Sequence, residues 1–428
     1  MKSVYRITEY SSFIPDRHVQ GYVTIPGHTF EQLENFLLLQ KNARPEGLDF
    51  LSLSARKGIG KIITARNYVG VIAMKDGTCL EILPKLHDVG SDEERMKRAR
   101  ALLLAMLKAL PTPPFKSLHA ANLKSEKLSI FEAFIAMFVE ELILIVKRGL
   151  RSRYETVEEN AAFFRGKMNF SRQMARNHVH KERCFMEHDE FIPNRPENRL
   201  IKATLQHLRS CSHTLRNRNN IKILLSHFAD VDASTDFETD FARSSSGRDM
   251  RGYTTVLPWC RIFLSGRSFT PFTGPDVALA LLFPMDTLFE RYMAVCLKAF
   301  LRNRPCTLSV QDKRFCLFDE PRKLFPLRPD MVVTRLSDNA VIVLDTKWKR
   351  LDVEKPECGI SQSDMYQMFA YQKIYKAEKV LLLYPSTEHT PTAPLLFTSH
   401  EHVAVQVLCL DLLRMPRSLE RIGQALGL

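Results

Sequence analysis

A buried strand that ends in an acidic residue constrains this chain more than any other feature. Residues 340–344 are continuously apolar, as in a strand covered on both faces, and Asp345 follows directly. The polar, turn-forming stretch 336–339 separates this strand from a second apolar strand, residues 331–334, which begins after Asp330. The pattern predicts a β-hairpin. Because its strands run antiparallel, both acids lie at the same end of it.

A lysine completes this group of side chains. Lys347 follows Asp345 by two residues, and residues two apart point to the same side of an extended chain. Two carboxylates suit Mg²⁺, which stabilises charge on a phosphate, and an ammonium group can orient water or offset negative charge. We therefore predict Asp330, Asp345 and Lys347 as catalytic residues. The alternative interpretation is a surface hairpin whose acids and lysine are solvated.

The pattern resembles the signature of the PD-(D/E)XK nucleases. Pro329-Asp330 provides the first part, and Asp345-Thr346-Lys347 after a buried strand provides the second. The resemblance implies a mixed sheet flanked by helices and Mg²⁺ as the cofactor. It also implies that Asp330, Asp345 and Thr346 hold the metal.

A predicted helix that begins after Pro284 offers a further acid. Leu288, Tyr292 and Val295 form its apolar face, and Glu290 lies off that face. Nucleases of this fold often place a helical glutamate near the metal, so we predict that Glu290 is a supporting residue of the site. An ordinary exposed glutamate is the alternative.

A second predicted helix spans residues 361–375 and carries Gln367 and Tyr371. These two residues are four apart and therefore share one face. Such a pair can contact a DNA backbone or support Lys347. The alternative is that Tyr371 only packs in the core.

The composition narrows the class of protein. A net charge of +13 over 428 residues favours a polyanionic partner such as DNA, RNA or an anionic membrane. The sequence contains no apolar run of membrane-spanning length, no secretory signal and no Walker A motif, so we expect a cytoplasmic protein that binds no membrane. Its 9 cysteines are scattered singly, which argues against a zinc site or a disulfide framework.

The chain length suggests several domains, and the fold class that we predict is a multidomain α+β or α/β protein. We expect a β-rich, partner-binding N-terminal domain over residues 1–125. Its strands include 68–73 and 79–83, joined by a turn at 75–78, and their close spacing suggests a small barrel or curled sheet.

A helical middle region with a hinge is expected over residues 126–265, and the endonuclease domain over 266–428. We interpret residues 229–252 as an exposed loop or hinge, because they contain few large apolar residues. A helix from Asp276 is expected to lead into the nuclease fold.

The order of these segments along nearly the whole chain resembles the McrC family, the nuclease subunit of McrBC-type modification-dependent restriction systems. The resemblance rests on short matches in sequence order: Gly70-Val71-Ile72, Glu81-Ile82-Leu83-Pro84-Lys85, Arg148-Gly149-Leu150, Tyr154, Phe164-Arg165-Gly166-Lys167, Asn198-Arg199, Leu288-Phe289-Glu290-Arg291-Tyr292, Arg328-Pro329-Asp330, Leu344-Asp345-Thr346-Lys347-Trp348-Lys349, and Asp364-Met365-Tyr366-Gln367-Met368 with Tyr371. Residues 175–190 and 229–250 fit less well and could be insertions.

The resemblance implies an N-terminal region that docks on a hexameric AAA+ GTPase, McrB, and stimulates its GTP hydrolysis. It implies a C-terminal nuclease domain that cuts DNA with Mg²⁺. In that family the partner recognises methylated cytosine, and the system acts in the bacterial cytoplasm against foreign DNA.

Two other functions remain open at this point. The chain could be a non-catalytic regulator that binds DNA and activates the motor. It could also be a stand-alone repair-type nuclease, which would cut DNA without a GTPase.

Overall fold

The structure of the protein is a computed structural model. The structure describes residues 3–43, 50–74, 76–86, 91–110, 129–244, 250, 252–265, 277–320, 322–387, 390–391, 393–400 and 403–428. The strands are β1 (Val4–Thr8), β2 (Ser12–Pro15), β3 (Val23–Ile25), β4 (Leu51–Arg56), β5 (Gly60–Ala65), β6 (Tyr68–Met74), β7 (Cys79–Leu83), β8 (Arg153–Ala161), β9 (Lys167–Met168), β10 (Cys184–Ile192), β11 (Val277–Pro284), β12 (Cys306–Val310), β13 (Cys316–Phe318), β14 (Leu324–Pro326), β15 (Met331–Arg335), β16 (Val341–Thr346), β17 (Lys379–Pro385), β18 (Leu395–Thr398) and β19 (Ala404–Leu410).

The helices lie between groups of these strands along the chain. They are α1 (Gly27–Ala43), α2 (Asp92–Lys108), α3 (Ile130–Lys147), α4 (Phe170–Arg176), α5 (Pro196–Cys211), α6 (Leu215–Ser226), α7 (Phe237–Arg243), α8 (Tyr253–Ser265), α9 (Met285–Leu301), α10 (Gln362–Tyr375) and α11 (Met415–Leu426). The mixed α+β class predicted from the sequence is confirmed.

The chain forms two compact units. One consists mainly of residues 119–273, and the other of residues 3–74, 78–118 and 274–428. The N-terminal and C-terminal parts of the chain therefore belong to the same unit.

The unit of residues 119–273 combines a helical core with a small sheet. Helix α3 buries an aromatic face in which Phe134 and Phe138 contact Trp259 and Phe263 of α8. Strands β8, β10 and β9 form a separate three-stranded antiparallel sheet. Buried Glu132 of α3 accepts hydrogen bonds from the amides of His213 and Thr214, just before α6, and from the side-chain amide of Asn217 within it.

The other unit contains two four-stranded sheets built largely from the N-terminal strands. Their strand orders are β3-β2-β5-β4 and β1-β7-β6-β11. Strand β11 pairs with β6 at a position where only glycine fits, because Gly70 has a φ of 141° and the Leu281 carbonyl occupies the space of a Cβ atom. The N-terminal strands thus share a sheet with a strand that precedes the C-terminal region.

A six-stranded mixed sheet, in the order β12-β15-β16-β17-β19-β18, is the centre of the C-terminal region. Strands β16, β17 and β19 are parallel to one another, and the other neighbours are antiparallel. Val343 and Leu382 on one face of the sheet pack in a common cluster with Met368 and Tyr371 of α10. Helix α9 contacts β12 and β16, and α10 contacts β16 and β17.

Several expectations from the sequence are confirmed. The hairpin of β15 and β16, the hairpin of β6 and β7, and the later strands β17 and β19 all form where they were predicted. Residue 75 of the predicted turn at 75–78 lies outside the described residues.

The helix expected from Asp276 is wrong over the residues that the structure describes. Residue 276 itself lies outside them, and residues 277–284 form β11. The sequence Val-Ala-Leu-Ala-Leu-Leu-Phe is apolar at every position, so it lacks the period that separates a buried helix from a buried strand.

Residues 229–252 are not simply a loop, since they contain α7. Asp236 caps this helix, and buried Asp240 forms a bidentate salt bridge with Arg199 of α5. Residues 245–249 and 251 lie outside the described residues.

The buried face of α9 differs from the one predicted. Leu288, Phe289 and Met293 are buried, whereas Val295 is exposed. Apolar residues also follow the predicted ones by one position, as Phe289 and Met293 do, and this second apolar stripe faces the sheet.

Candidate functional site

The hairpin places Asp330 and Asp345 opposite each other. Met331 pairs with Leu344, so the residues that flank this pair meet at one edge of the sheet. Oδ2 of Asp330 accepts hydrogen bonds from the amide and the hydroxyl of Thr346, over 2.7 Å and 2.6 Å. Only 2% of Asp345 is exposed. The alternative of a solvated surface hairpin is therefore excluded.

Lys347 turns back onto the same edge of the sheet. Its Nζ lies 2.7 Å from Oδ2 of Asp345 as an ion pair, and it donates to Oε1 of Gln367 over 3.1 Å. Desolvation lowers the pKa of Lys347, but the neighbouring Asp345 carboxylate outweighs it, so the pKa is raised overall. The lysine is therefore held in its charged form.

Helix α10 supplies the support for this lysine. Nε2 of Gln367 donates to the hydroxyl of Tyr371 over 2.7 Å, and 2% of Tyr371 is exposed. Burial, followed by the charge of Asp345, raises the pKa of the Tyr371 hydroxyl. Tyr371 thus packs in the core and also fixes the amide of Gln367, which presents its oxygen to Lys347.

Burial and neighbouring acids disfavour the charged forms of both carboxylates at this edge. Desolvation, and then the charge of the other acid, raises the pKa of Asp345. Desolvation also raises the pKa of Asp330, against the hydrogen bonds from Thr346 that lower it. Two ionised carboxylates in such a place favour a bound cation.

Glu290 is half-buried beside these two acids. Desolvation and then the charge of Asp330 raise the pKa of Glu290 to about 7. Gln311, which follows β12, donates to Oε1 of Glu290 over 2.6 Å. Glu290 is therefore not the ordinary exposed glutamate of the alternative interpretation.

The donor set suits a hard divalent cation. Within the described ranges, no group of three or more His, Cys, Asp or Glu residues is arranged to hold a metal ion. Two carboxylates with waters are nevertheless the usual protein contribution to a Mg²⁺ site. Hydrogen bonds to Oδ2 of Asp330 orient that carboxylate and leave its Oδ1 available. The role of Thr346 as a metal ligand stays a prediction, and its observed contacts hold Asp330.

Two features of the site were not predicted from the sequence. Asp286 at the start of α9 accepts a hydrogen bond from Asn67, and its charge raises the pKa of Asp330. Nε1 of Trp348 donates to Oε1 of buried Glu9 over 2.8 Å. Both contacts join residues that are far apart in the chain, so no local pattern indicates them.

Residues in the motifs that suggested the family have structural roles elsewhere in the molecule. Asn198 donates to the Arg151 and Pro193 carbonyls and accepts from the hydroxyl of Tyr253. Gly166 has a φ of 82°, and the backbone of Glu187 fills the place of a Cβ atom there. These motif residues therefore fix the backbone in the unit of residues 119–273.

Comparisons with known proteins agree with the sequence resemblance. Residues 63–385 match the family described as McrBC 5-methylcytosine restriction system component. A search of curated proteins gives no match.

Two solved structures share the fold. A chain of the half-complex from the tetradecameric assembly of Thermococcus gammatolerans McrB AAA+ hexamers with bound McrC is 19% identical, with a TM-score of 0.72, and 99% of the present chain and 100% of that chain are covered. A chain of the Thermococcus gammatolerans McrBC complex is 20% identical, with a TM-score of 0.50, and 70% of the present chain and 88% of that chain are covered.

Across the residues that the structure describes, no helix is both long enough and apolar enough to cross a membrane. The family match extends from β5 to the end of β17 and includes the edge of the sheet that carries Asp330, Asp345 and Lys347. The chain therefore belongs to the family of McrBC 5-methylcytosine restriction system components.

Proposed function

We propose that this chain is the DNA endonuclease subunit of its restriction system, with a PD-(D/E)XK fold in the C-terminal region. The observation that carries the proposal is the convergence of Asp330, Asp345 and Lys347 at one edge of a mixed sheet flanked by helices. The substrate is methylated DNA, and the reaction is hydrolysis of a phosphodiester bond. Mg²⁺ is the proposed cofactor, and it would supply charge neutralisation at the scissile phosphate and activation of a water molecule.

The chain's own residues have separate tasks in this reaction. Asp330 and Asp345 hold the cation, and the Thr346 hydrogen bonds keep Asp330 in place. Lys347 orients the attacking water and offsets charge on the phosphate, while Gln367 and Tyr371 fix its ammonium group. The water oxygen forms a bond to phosphorus and gives up a proton as the bond to the leaving deoxyribose oxygen breaks, and that oxygen takes up a proton.

An AAA+ GTPase hexamer is the proposed partner. One similar solved structure is an assembly of McrB AAA+ hexamers with bound McrC, which supports this choice. The three-stranded sheet of β8, β9 and β10 offers a docking surface, because Tyr154 is 74% exposed and Phe191 is 62% exposed, with ring centroids 5.0 Å apart. Phe163 and Phe164 are exposed near it. Contacts by the N-terminal β region, over residues 1–125, stay a second proposal for this docking.

GTP hydrolysis by the partner tests the docking proposal. Addition of the wild-type chain should stimulate hydrolysis, and the double variant Tyr154→Ala/Phe191→Ala should lose most of that stimulation. A variant with two exposed leucines changed, Leu396→Ala/Leu413→Ala, is the matched control. If Tyr154→Ala/Phe191→Ala stimulated GTP hydrolysis fully, the docking surface would lie in the N-terminal β region instead.

DNA cleavage tests the nuclease proposal against its two alternatives. Methylated DNA should be cut only when the chain, the partner, GTP and Mg²⁺ are all present. Cleavage without the partner would indicate a stand-alone nuclease. A wild-type chain that stimulates GTP hydrolysis but cuts no DNA would be a regulator.

A further inference from the structure

A two-stranded ribbon leaves the sheet at the same edge as the catalytic acids. Strand β12 ends at Val310, which pairs with Met331, and the amide of Gln311 donates to the Asp330 carbonyl over 2.8 Å. The chain between these points, residues 312–329, contains β13 and β14, which pair antiparallel; residue 321 lies outside the described residues. The ribbon therefore begins and ends next to Asp330.

The base of the ribbon is fixed to the nuclease fold. Buried Asp312 accepts hydrogen bonds from the amide and Nε of Arg314 and from the hydroxyl of Tyr375, the last over 3.0 Å. The ring of Phe315 packs edge-on against Tyr375, with centroids 4.8 Å apart. These contacts attach the base of the ribbon to helix α10.

The outer part of the ribbon presents aromatic rings to solvent. Phe318 is 55% exposed and Phe325 is 65% exposed, and their ring centroids lie 6.0 Å apart. Phe325 also has a φ of 53°, which is an unfavourable conformation for a bulky residue. Strain of this kind persists mainly at functional positions, where it presents a side chain in a particular direction.

Basic residues surround this aromatic pair. Lys313, Arg322, Lys323 and Arg328 are all exposed along residues 313–328. Asp319 and Glu320 lie in the same connection between β13 and β14 as Arg322 and Lys323, so contacts to phosphates there fall to Arg322 and Lys323. Exposed aromatic rings between lysines and arginines complement a polyanion with flat bases.

We infer that the ribbon of residues 312–329 is a DNA-binding element that enters a groove of the duplex beside the scissile phosphate. This inference rests on the proposed nuclease function and names the part of the chain that positions its substrate. A two-stranded ribbon has the width of the major groove, and apolar side chains at a ribbon tip can contact bases or wedge between them. Phe318 and Phe325 make the base contacts, and Lys313, Arg322 and Lys323 contact phosphates on both sides.

Binding of a fluorescently labelled DNA duplex to the full-length chain tests this inference, with EDTA present to prevent cleavage. The variant Phe318→Ala/Phe325→Ala should bind about tenfold more weakly, a change that corresponds to about 1.4 kcal/mol. The matched control is Leu396→Ala/Leu413→Ala, two exposed apolar residues outside the ribbon, and it should bind DNA like the wild type. The aromatic variant Phe318→Tyr/Phe325→Tyr should retain binding.

The salt dependence of DNA binding distinguishes the loss of a phosphate contact from misfolding of a variant. Arg322→Ala/Lys323→Ala should reduce the slope of log K against log salt by about 0.9 for each lost contact, whereas the phenylalanine variant should leave the slope unchanged. If the phenylalanine variant fails to fold, this slope decides the inference.

Two results would overturn the inference and leave the nuclease proposal intact. One is that Phe318→Ala/Phe325→Ala binds DNA as tightly as the wild type, and the other is that Arg322→Ala/Lys323→Ala shows the wild-type salt slope. A wild-type chain that neither binds DNA nor cuts it with its partner would overturn the nuclease proposal itself, and the inference with it.

Discussion

The indole Nε1 of Trp348 donates a hydrogen bond to Oε1 of Glu9, which lies 339 residues earlier in the chain. Trp348 lies two residues beyond the end of β16, the strand that carries Asp345, and its ring packs edge-on against Phe289 of α9 at 5.3 Å. Glu9 is 1% exposed, and its Oε1 also accepts from the amide of Lys85. The N-terminal segment is therefore part of the support of the candidate active site.

This buried carboxyl predicts a pH dependence of stability. Desolvation raises the pKa of Glu9 from 4.5 to about 7, so the folded protein keeps this proton where the unfolded chain has lost it. Stability should therefore fall as the pH rises through this window, by at most about 1.4 kcal/mol per pH unit from this residue.

The variant Glu9→Gln should remove that contribution to the slope. Chemical denaturation of the variant and the wild type between pH 5 and pH 8, with exposed Glu31→Gln as the control, measures it. Identical slopes for Glu9→Gln and the wild type would show that Glu9 is ionised in the folded state.

Removal of the support for Lys347 should reduce cleavage without affecting the partner. Gln367→Leu takes away the oxygen that accepts from Lys347, and we expect about a tenfold loss in kcat, in line with about 1.4 kcal/mol of transition-state stabilisation. Gln367→Glu keeps an acceptor and should retain more activity. Equal activities of the Leu and Glu variants would contradict a positioning role. Stimulation of GTP hydrolysis by all of these variants should match the wild type.

Mg²⁺ should stabilise the folded chain through the two buried acids. A ligand that binds only the folded state raises the melting temperature, and at about 100 times its Kd the gain is about 2.7 kcal/mol. Thermal melting with and without Mg²⁺ should show this shift for the wild type and not for Asp345→Ala. Asp338→Ala, at the opposite end of the same hairpin, is the control. Equal shifts in all three proteins would place the cation elsewhere.

The hairpin of β15 and β16 was predictable because its signals are local. A turn between two apolar strands sets the register, and the register brings Asp330 and Asp345 together. The four-residue spacing of Gln367 and Tyr371 likewise predicted their common face; Gln367 contacts Lys347, and Tyr371 contacts Gln367.

The surroundings of the site were less predictable, because they depend on contacts between distant parts of the chain. Nothing in the sequence near Glu9 indicates that it meets Trp348. The uniform apolar run of β11 gives no period, and its pairing with β6 decides that it is a strand. Similarly, the exposed rings of Phe318 and Phe325 are ordinary apolar residues in the sequence, and only their exposure distinguishes them.

The most direct test of the account is cleavage of methylated DNA by Lys347→Ala, with the partner GTPase, GTP and Mg²⁺ present. Lys379→Ala, at the far end of the same sheet, is the matched control. We predict that Lys347→Ala loses cleavage by a factor of about 100 or more and still stimulates GTP hydrolysis, while Lys379→Ala behaves like the wild type. Cleavage by Lys347→Ala at the wild-type rate would contradict the assignment of this site.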